Sequence, residues 1–136
     1  MSSIEQTLSI IKPDAVERNL VDSIKLIFEK NNLKIKDSKK LHITKEEASE
    51  FYKVHQSKPF FNDLCTYLSS GPIVVMILEG NNAVALNRKI MGATDPKNAE
   101  EHTIRKLYGI SIDKNSVHGS DSIRNAKIEI DFFFKN

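Results

Sequence analysis

The chain has 136 residues with 20 basic and 18 acidic side chains, a net charge of +2 that leaves no excess for gripping nucleic acid by bulk electrostatics. Its 40% apolar residues suffice for the core of one globular domain spanning residues 1–136. The lone cysteine, Cys65, and four histidines without HxH or HxxxH spacing argue for a reducing, cytoplasmic setting and against structural zinc, while a polar start and a longest apolar run of only Ile73 to Leu78 argue against a signal peptide or membrane span.

Thr7-Leu8-Ser9-Ile10-Ile11 is rich in strand formers and is stopped by Lys12-Pro13, so it predicts a first strand ending in a turn, with Lys12 at its end. Asn19 is suited to cap a helix in which Leu20, Val21, Ile24, Ile27 and Phe28 make one apolar stripe, running to about Asn31. From Leu33 to Ile43 apolar residues sit at odd positions and lysines crowd the even ones, the alternation of a half-solvated strand near a sheet edge. Thr44-Lys45-Glu46-Glu47 is a capping box opening a helix with Ala48, Phe51, Tyr52 and His55 on one side.

Lys58-Pro59 breaks that helix, and a second helix from Phe60 to about Leu68 completes a helical hairpin suited to cover a groove. Ile73 to Leu78 has no alternation and predicts a strand covered on both faces, central in the sheet. After a turn at residues 79–82, a helix places Ala83, Leu86 and Ile90 on its core face and Arg88 roughly opposite. Residues 92–101 read as a loop, Thr103 to Tyr108 as a short helical turn carrying Arg105, Val117 as a brief last strand, and Ser120 to Phe134 as a closing helix with a core stripe of Ile123, Ala126, Ile130 and Phe133. Together these predict an α+β domain with helices against a small antiparallel sheet.

Five scattered glycines make neither GxGxxG nor GxxxxGK[ST], and GxSxG and HExxH are also missing, so dinucleotide, Walker, hydrolase and metalloprotease chemistry have no motif here. The residue that stands out is His118, set in Asn115-Ser116-Val117-His118-Gly119-Ser120-Asp121-Ser122 among small polar neighbours. A histidine serving as nucleophile needs one ring nitrogen free and the other held by an acceptor. Glu129, on the flank of the closing helix's stripe, needs a partner and finds candidates in Ser120 and His118. Lys12, Arg88 and Arg105 are candidate cations for a migrating phosphoryl group, and read singly they are equally well solvated surface charges.

The stretch from Asn115 to Ser122 resembles the NxxHGSD signature of the nucleoside diphosphate kinase family. Ser9 to Val16, Phe51-Tyr52 with His55, Lys58 to Phe61, Ser70 to Pro72, Gly92 to Pro96 and Thr103 to Arg105 resemble further family blocks in the same order, so the similarity covers essentially the whole chain. The resemblance implies a ferredoxin-like βαββαβ sandwich, with a four-stranded antiparallel sheet and an added helical hairpin. It implies transfer of the γ-phosphate from a nucleoside triphosphate to a nucleoside diphosphate, by a ping-pong route through a phosphohistidine, with Mg²⁺ and broad base specificity.

By motif, His118 is then the nucleophile, acting through the ring nitrogen nearer the main chain, and Ser120 and Glu129 hold it. Lys12, Tyr52, Arg88, Thr94, Arg105 and Asn115 match positions around phosphates and ribose, Phe60 matches the aromatic under the base, and no residue is a dedicated metal ligand. Tyr52 is read as lining the site, whereas His55 is open between site wall and packing. A homo-oligomer, hexameric or tetrameric, is implied, with Pro96 in a loop that contacts neighbours; a role in nucleic-acid binding through Lys34, Lys36, Lys39 and Lys40 is the weaker alternative. Two departures stand out: His102 where the family commonly has glycine, and Leu107 where it has an acid. Replacing Lys12 or Arg105 by alanine is expected to impair turnover and leave the fold intact.

Overall fold

A computed structural model describes residues 4–53, 56–111 and 114–134. Strand β1 (Ile4–Ile11) leads into a short helix α1 (Pro13–Glu17), then α2 (Val21–Lys30), β2 (Lys34–Leu41), α3 (Lys45–Phe51), α4 (Phe61–Leu68), β3 (Ile73–Asn81), α5 (Ala83–Met91), α6 (Ile104–Tyr108), β4 (Val117–Gly119) and α7 (Ile123–Phe134). The strands form one sheet in the order β2-β3-β1-β4, every neighbouring pair antiparallel. With α2 and α5 as crossovers and α3–α4 inserted before β3, this is the ferredoxin-like sandwich with its extra hairpin.

The strand period decides which helices cover which face. On β1, Leu8 and Ile10 point to one side and join Val75, Ala48, Leu68 and Phe133 beneath α3, α4 and α7. Thr7, Ser9 and Ile11 point to the other, where Ile11 joins Met76, Phe28, Ile90 and Val117 beneath α2 and α5. A fully buried Val, Leu, Ile, Phe or Met side chain contributes roughly 1.5–3 kcal/mol of transfer free energy, and both clusters hold several, so the sheet is fixed from both faces. Because Ile10 pairs with His118, the histidine side chain falls on the α3/α7 face, between Val117 and Gly119 that face α5.

Several sequence expectations need correction. The first strand does stop at Lys12-Pro13, but a helix rather than a turn follows: the fixed φ of Pro13 suits the first helical position, and α1 starts on it. Asn19 does not cap α2. It has φ +60°, and the N-cap is Leu20 with no side-chain bond. The strand alternation expected over residues 33–43 is interrupted, because the register against β3 shifts between Ile35 and Asp37, a bulge that turns Ser38 inward and Asp37 outward. β3 runs on to Asn81, three residues past Leu78, because Glu79, Gly80 and Asn81 stay paired with β1. The loop from Gly92 contains a 3₁₀ turn at Pro96–Asn98. On α7, Ala126 and Phe133 are buried but Ile123 is 63% exposed, since the helix begins three residues later than Ser120 and its first turn has left the sheet. The Thr44–Glu47 capping box forms in full, Glu47 N donating to Thr44 Oγ1 and Thr44 N to Glu47 Oε1.

Candidate active site

The short strand β4 delivers His118, and α7 returns over the same face to bring Glu129 to it. Glu129 Oε1 lies 3.0 Å from His118 Nε2 and accepts a hydrogen bond from Ser120 Oγ at 2.8 Å. An ionised Glu129 only accepts, so in the neutral imidazole Nε2 carries the ring proton and Nδ1 keeps its lone pair. Ser120 is itself locked, its hydroxyl receiving Leu8 N at 3.3 Å while its own N–H bonds Leu8 O. The β1–β4 ladder, the serine and the carboxylate thus hold the imidazole from one side, and the Phe51 ring meets it edge-on at 5.4 Å between centroids.

Lys12 and Asn115 come together from opposite ends of the chain. Lys12 Nζ donates to Asn115 Oδ1 at 2.9 Å, and Asn115 Nδ2 donates to Thr94 O at 3.1 Å. The sharp turn that lets Asn115 reach both is made by Ser116, buried at φ +75°. Such a backbone is costly for a non-glycine residue, and it persists because both ends of Ser116 are bonded. Its carbonyl accepts Lys12 N, and its hydroxyl donates to Asp14 Oδ2 and accepts from Arg18.

Arg105 is not on a wet face: it is 8% exposed, and it donates from Nη1 to Gly92 O and from Nη2 to Val117 O. Its Nε is buried without a hydrogen-bond partner among the described residues. Desolvation, with the nearby Arg88 charge second, pulls its pKa down to about 10. Both arginines line a cavity of ≈ 500 Å³ together with Gly92, Ala93, Thr94 and Thr103. Among the described residues neither makes a salt bridge. Two guanidinium groups without a salt bridge among the described residues, one with a buried N–H to spare, attract an anion with several oxygens. Through these two bonds the guanidinium also ties β4 to the loop after α5.

Tyr52 is 7% exposed, with its ring 6.5 Å from that of His118, and burial followed by the charges of Glu129 and Cys65 raises its phenol pKa well above normal, so it stays protonated. Phe60 is 44% exposed immediately before α4, with Lys58 Nζ 5.6 Å from its ring centroid. His55 lies outside the described residues. His102 sits at φ +69°, which gives a physical reason for glycine at that position, and Leu107 is 52% exposed.

Sequence reasoning passed over Asp121. A hydrogen bond from Asn125 lowers its pKa, desolvation works against this, and the charges of Arg88 and then His118 lower it further, which places it in the site's electrostatics. Its position directly after Ser120 was the available signal. Also missed was Asn87 on α5, whose Nδ2 would stand 2.3 Å from a Cβ added at Gly119. A larger cavity of ≈ 640 Å³ lies elsewhere, beside Asp14, Arg18 and Tyr67. There Tyr67 OH donates to Asp14 Oδ1 and Arg18 pairs with Asp14 Oδ2, a strut under α1 that ends on Ser116.

Comparisons with known proteins agree on one family. Residues 5–136 match the family model "Nucleoside diphosphate kinase". The nucleoside diphosphate kinase of Rhizorhabdus wittichii is 60% identical over 131 residues, covering 96% of this chain and 94% of the relative. That of Nitratiruptor sp. is 57% identical, covering 96% of each. Among solved structures, the Aquifex aeolicus nucleoside diphosphate kinase superposes with a TM-score of 0.96 at 40% identity, covering 98% of this chain and 97% of that one.

Proposed function

Since the chain belongs to the nucleoside diphosphate kinase family, whose members are phosphotransferases acting on nucleoside triphosphates and diphosphates, we propose that it does so by a ping-pong route through a phosphohistidine at His118. The observation that carries this is the pairing of His118 Nε2 with Glu129 at 3.0 Å, which leaves Nδ1 as the basic ring nitrogen. In the first half-reaction Nδ1 attacks the γ-phosphorus. The Nδ1–P bond forms, the bond from phosphorus to the β-γ bridging oxygen breaks, and its electron pair leaves on the β-phosphate of the departing diphosphate. Glu129 stabilises the ring as it becomes cationic. In the second half-reaction a terminal oxygen of the acceptor diphosphate attacks the same phosphorus, and the electron pair returns to Nδ1.

Arg88, Arg105 and Thr94 serve the phosphates, and the protonated Tyr52 stands beside the ring of His118. Lys12 and Asn115 serve the sugar and favour a 3′-hydroxyl. Phe60 stacks under the base, and because a π-face accepts any base, broad base specificity follows. Mg²⁺ enters with the nucleotide. The cationic lining suits phosphate oxygens, so the ion would be held mainly by phosphates and water and, when bound, would neutralise phosphate charge. The enzyme works as one domain over residues 1–136, in the cytoplasm, as a hexamer or tetramer; among the described residues no helix is long and apolar enough to cross a membrane.

Incubation with γ-labelled ATP is expected to leave an acid-labile label that GDP discharges. An unlabelled wild type, or full labelling of His118→Ala, sinks the proposal. A steep salt dependence of RNA or DNA retention on a filter would instead favour nucleic-acid binding by the basic edge of β2.

A further inference from the structure

We infer that Asp14 is a positioning residue for the sugar end of the site: by holding the turn at Ser116 it sets Asn115 and Lys12 for a 3′-hydroxyl, and so decides how strongly that sugar is preferred over a 3′-deoxy one. The inference rests on the reading above that Lys12 and Asn115 serve the sugar.

Asn115 comes shortly before His118 in the chain, and the strand period alone would misplace it. In an unbroken strand Asn115 would share the α5 face with Val117 and turn away from the face that carries His118. Ser116 ends that alternation. Its φ is +75°, and Val117 N donates to Asn115 O across it at 2.9 Å, a γ-turn of the rare, strained kind. Lys12 is fastened to this turn twice, its N donating to Ser116 O at 2.8 Å and its Nζ to Asn115 Oδ1 at 2.9 Å. Whatever keeps Ser116 at positive φ therefore places both sugar contacts.

A serine without such constraints relaxes to negative φ, so the turn needs a hold on its side chain, and Asp14 supplies it. Asp14 Oδ2 accepts from Ser116 Oγ at 3.3 Å. The carboxylate is itself fixed from two further elements. Tyr67 OH, on α4, donates to Oδ1, while Arg18 Nη2 donates to Oδ2 at 3.1 Å and to Tyr108 O at 2.6 Å. Asp14 is 6% exposed and Ser116 fully buried, so the bond between them is made away from water, where it is stronger.

The test is a ratio rather than a rate, because general loosening of the fold lowers both of its members alike. With ATP as donor, kcat/KM is measured for dGDP and for 2′,3′-dideoxyGDP, which differ only in the 3′-hydroxyl. Wild type is expected to prefer dGDP. Ser116→Ala, which loses the hydroxyl but keeps the steric cost of positive φ, should narrow that preference about tenfold, the equivalent of one charge-assisted hydrogen bond. Asp14→Ala should narrow it to the same extent, and the two changes together no further. Adding Ser116→Gly to Asp14→Ala should restore most of the preference, because glycine takes positive φ without help, while any loss of thermal stability at Tyr67 and Arg18 persists. Should Asp14→Ala fail to fold, Ser116→Ala against Ser116→Gly carries the same comparison, narrowed in the first and near wild type in the second. Folded Asp14→Ala or Ser116→Ala proteins that keep the wild-type ratio overturn the inference. A wild type that uses both acceptors equally overturns it together with the sugar reading.

Discussion

Lys12 Nζ donates to Asn115 Oδ1 at 2.9 Å, joining residues 103 apart in sequence at the rim of the candidate site. Lys12 is 6% exposed, and Asn115 continues through Nδ2 to Thr94 O, so three proposed nucleotide contacts share one hydrogen-bond chain. Lys12→Ala is expected to lower kcat/KM for a diphosphate acceptor by about 10²–10³, the usual effect of losing a fixed donor from a transfer site. It also strips Asn115 Oδ1 of a partner, at a stability cost of about 1–3 kcal/mol. Steady-state kinetics and urea unfolding on the same preparation measure the two effects, and near wild-type kcat/KM would take Lys12 out of the site.

Arg105 links stability, binding and pH. Arg105→Ala removes bonds to Gly92 O and Val117 O and is expected to cost roughly 2–4 kcal/mol of unfolding free energy as well as turnover. Its pKa of about 10 in the folded protein lies below the ordinary guanidinium range. Below about pH 10 both folded and unfolded chains hold the proton and the fold bears the full penalty. As pH rises from there the unfolded chain holds the proton more tightly, so this group's contribution to stability rises with pH. Phosphate oxygens reverse the shift. ADP binding should take up more protons through this residue near pH 10 than near pH 8, as read by calorimetry in buffers of different ionisation enthalpy. Equal uptake by Arg105→Gln at pH 10 would assign the proton elsewhere.

Gly119 and Asn87 form a tight pair behind the histidine. A Cβ at Gly119 would lie 2.3 Å from Asn87 Nδ2 and 2.9 Å from Met91 Sδ, and both amide atoms of Asn87 are buried without a hydrogen-bond partner among the described residues. Gly119→Ala is expected to cost about 1–3 kcal/mol by overpacking. Adding Asn87→Ser makes room for the methyl group and should recover more than half, giving a clear coupling energy in a double-mutant cycle. Simple additivity would show that the clash is relieved elsewhere.

His102 occupies a left-handed backbone at φ +69° with its side chain exposed. His102→Gly removes that steric cost while adding freedom to the unfolded chain, for a net gain of about 0.5–1 kcal/mol. Thermal unfolding should show a higher midpoint with unchanged kinetics. A lower midpoint would mean that the imidazole makes contacts worth more than its strain.

Local signals were readable from the residues alone. The Thr44–Glu47 box depends only on neighbours in sequence, and the unbroken apolar run from Ile73 did mark a central strand. Features set by distant partners were not. The bulge after Ile35 belongs to the pairing with β3, and the exposure of Ile123 depends on where α7 crosses the sheet. At the site, Glu129 was legible as a carboxylate on the flank of an apolar stripe, and the structure brings it to both residues named as its partners. Arg105 was legible as a cation, but its burial and its hold on two carbonyls arise from α6 folding onto residues 92 and 117.

Strand β1 lies second from one edge of the sheet, pairing with residues 74–81 on one side and 117–119 on the other. Its two partner strands both come later in the chain, and β4 is the last of the four strands in sequence order. Until β4 arrives, the outer half of its hydrogen-bonding ladder is open to any other nascent chain. A chain interrupted before Val117 thus lacks His118, the proposed nucleophile, and leaves that side of β1 unpaired at once, so truncation is expected to yield material for chaperones and proteases rather than a partly active fragment.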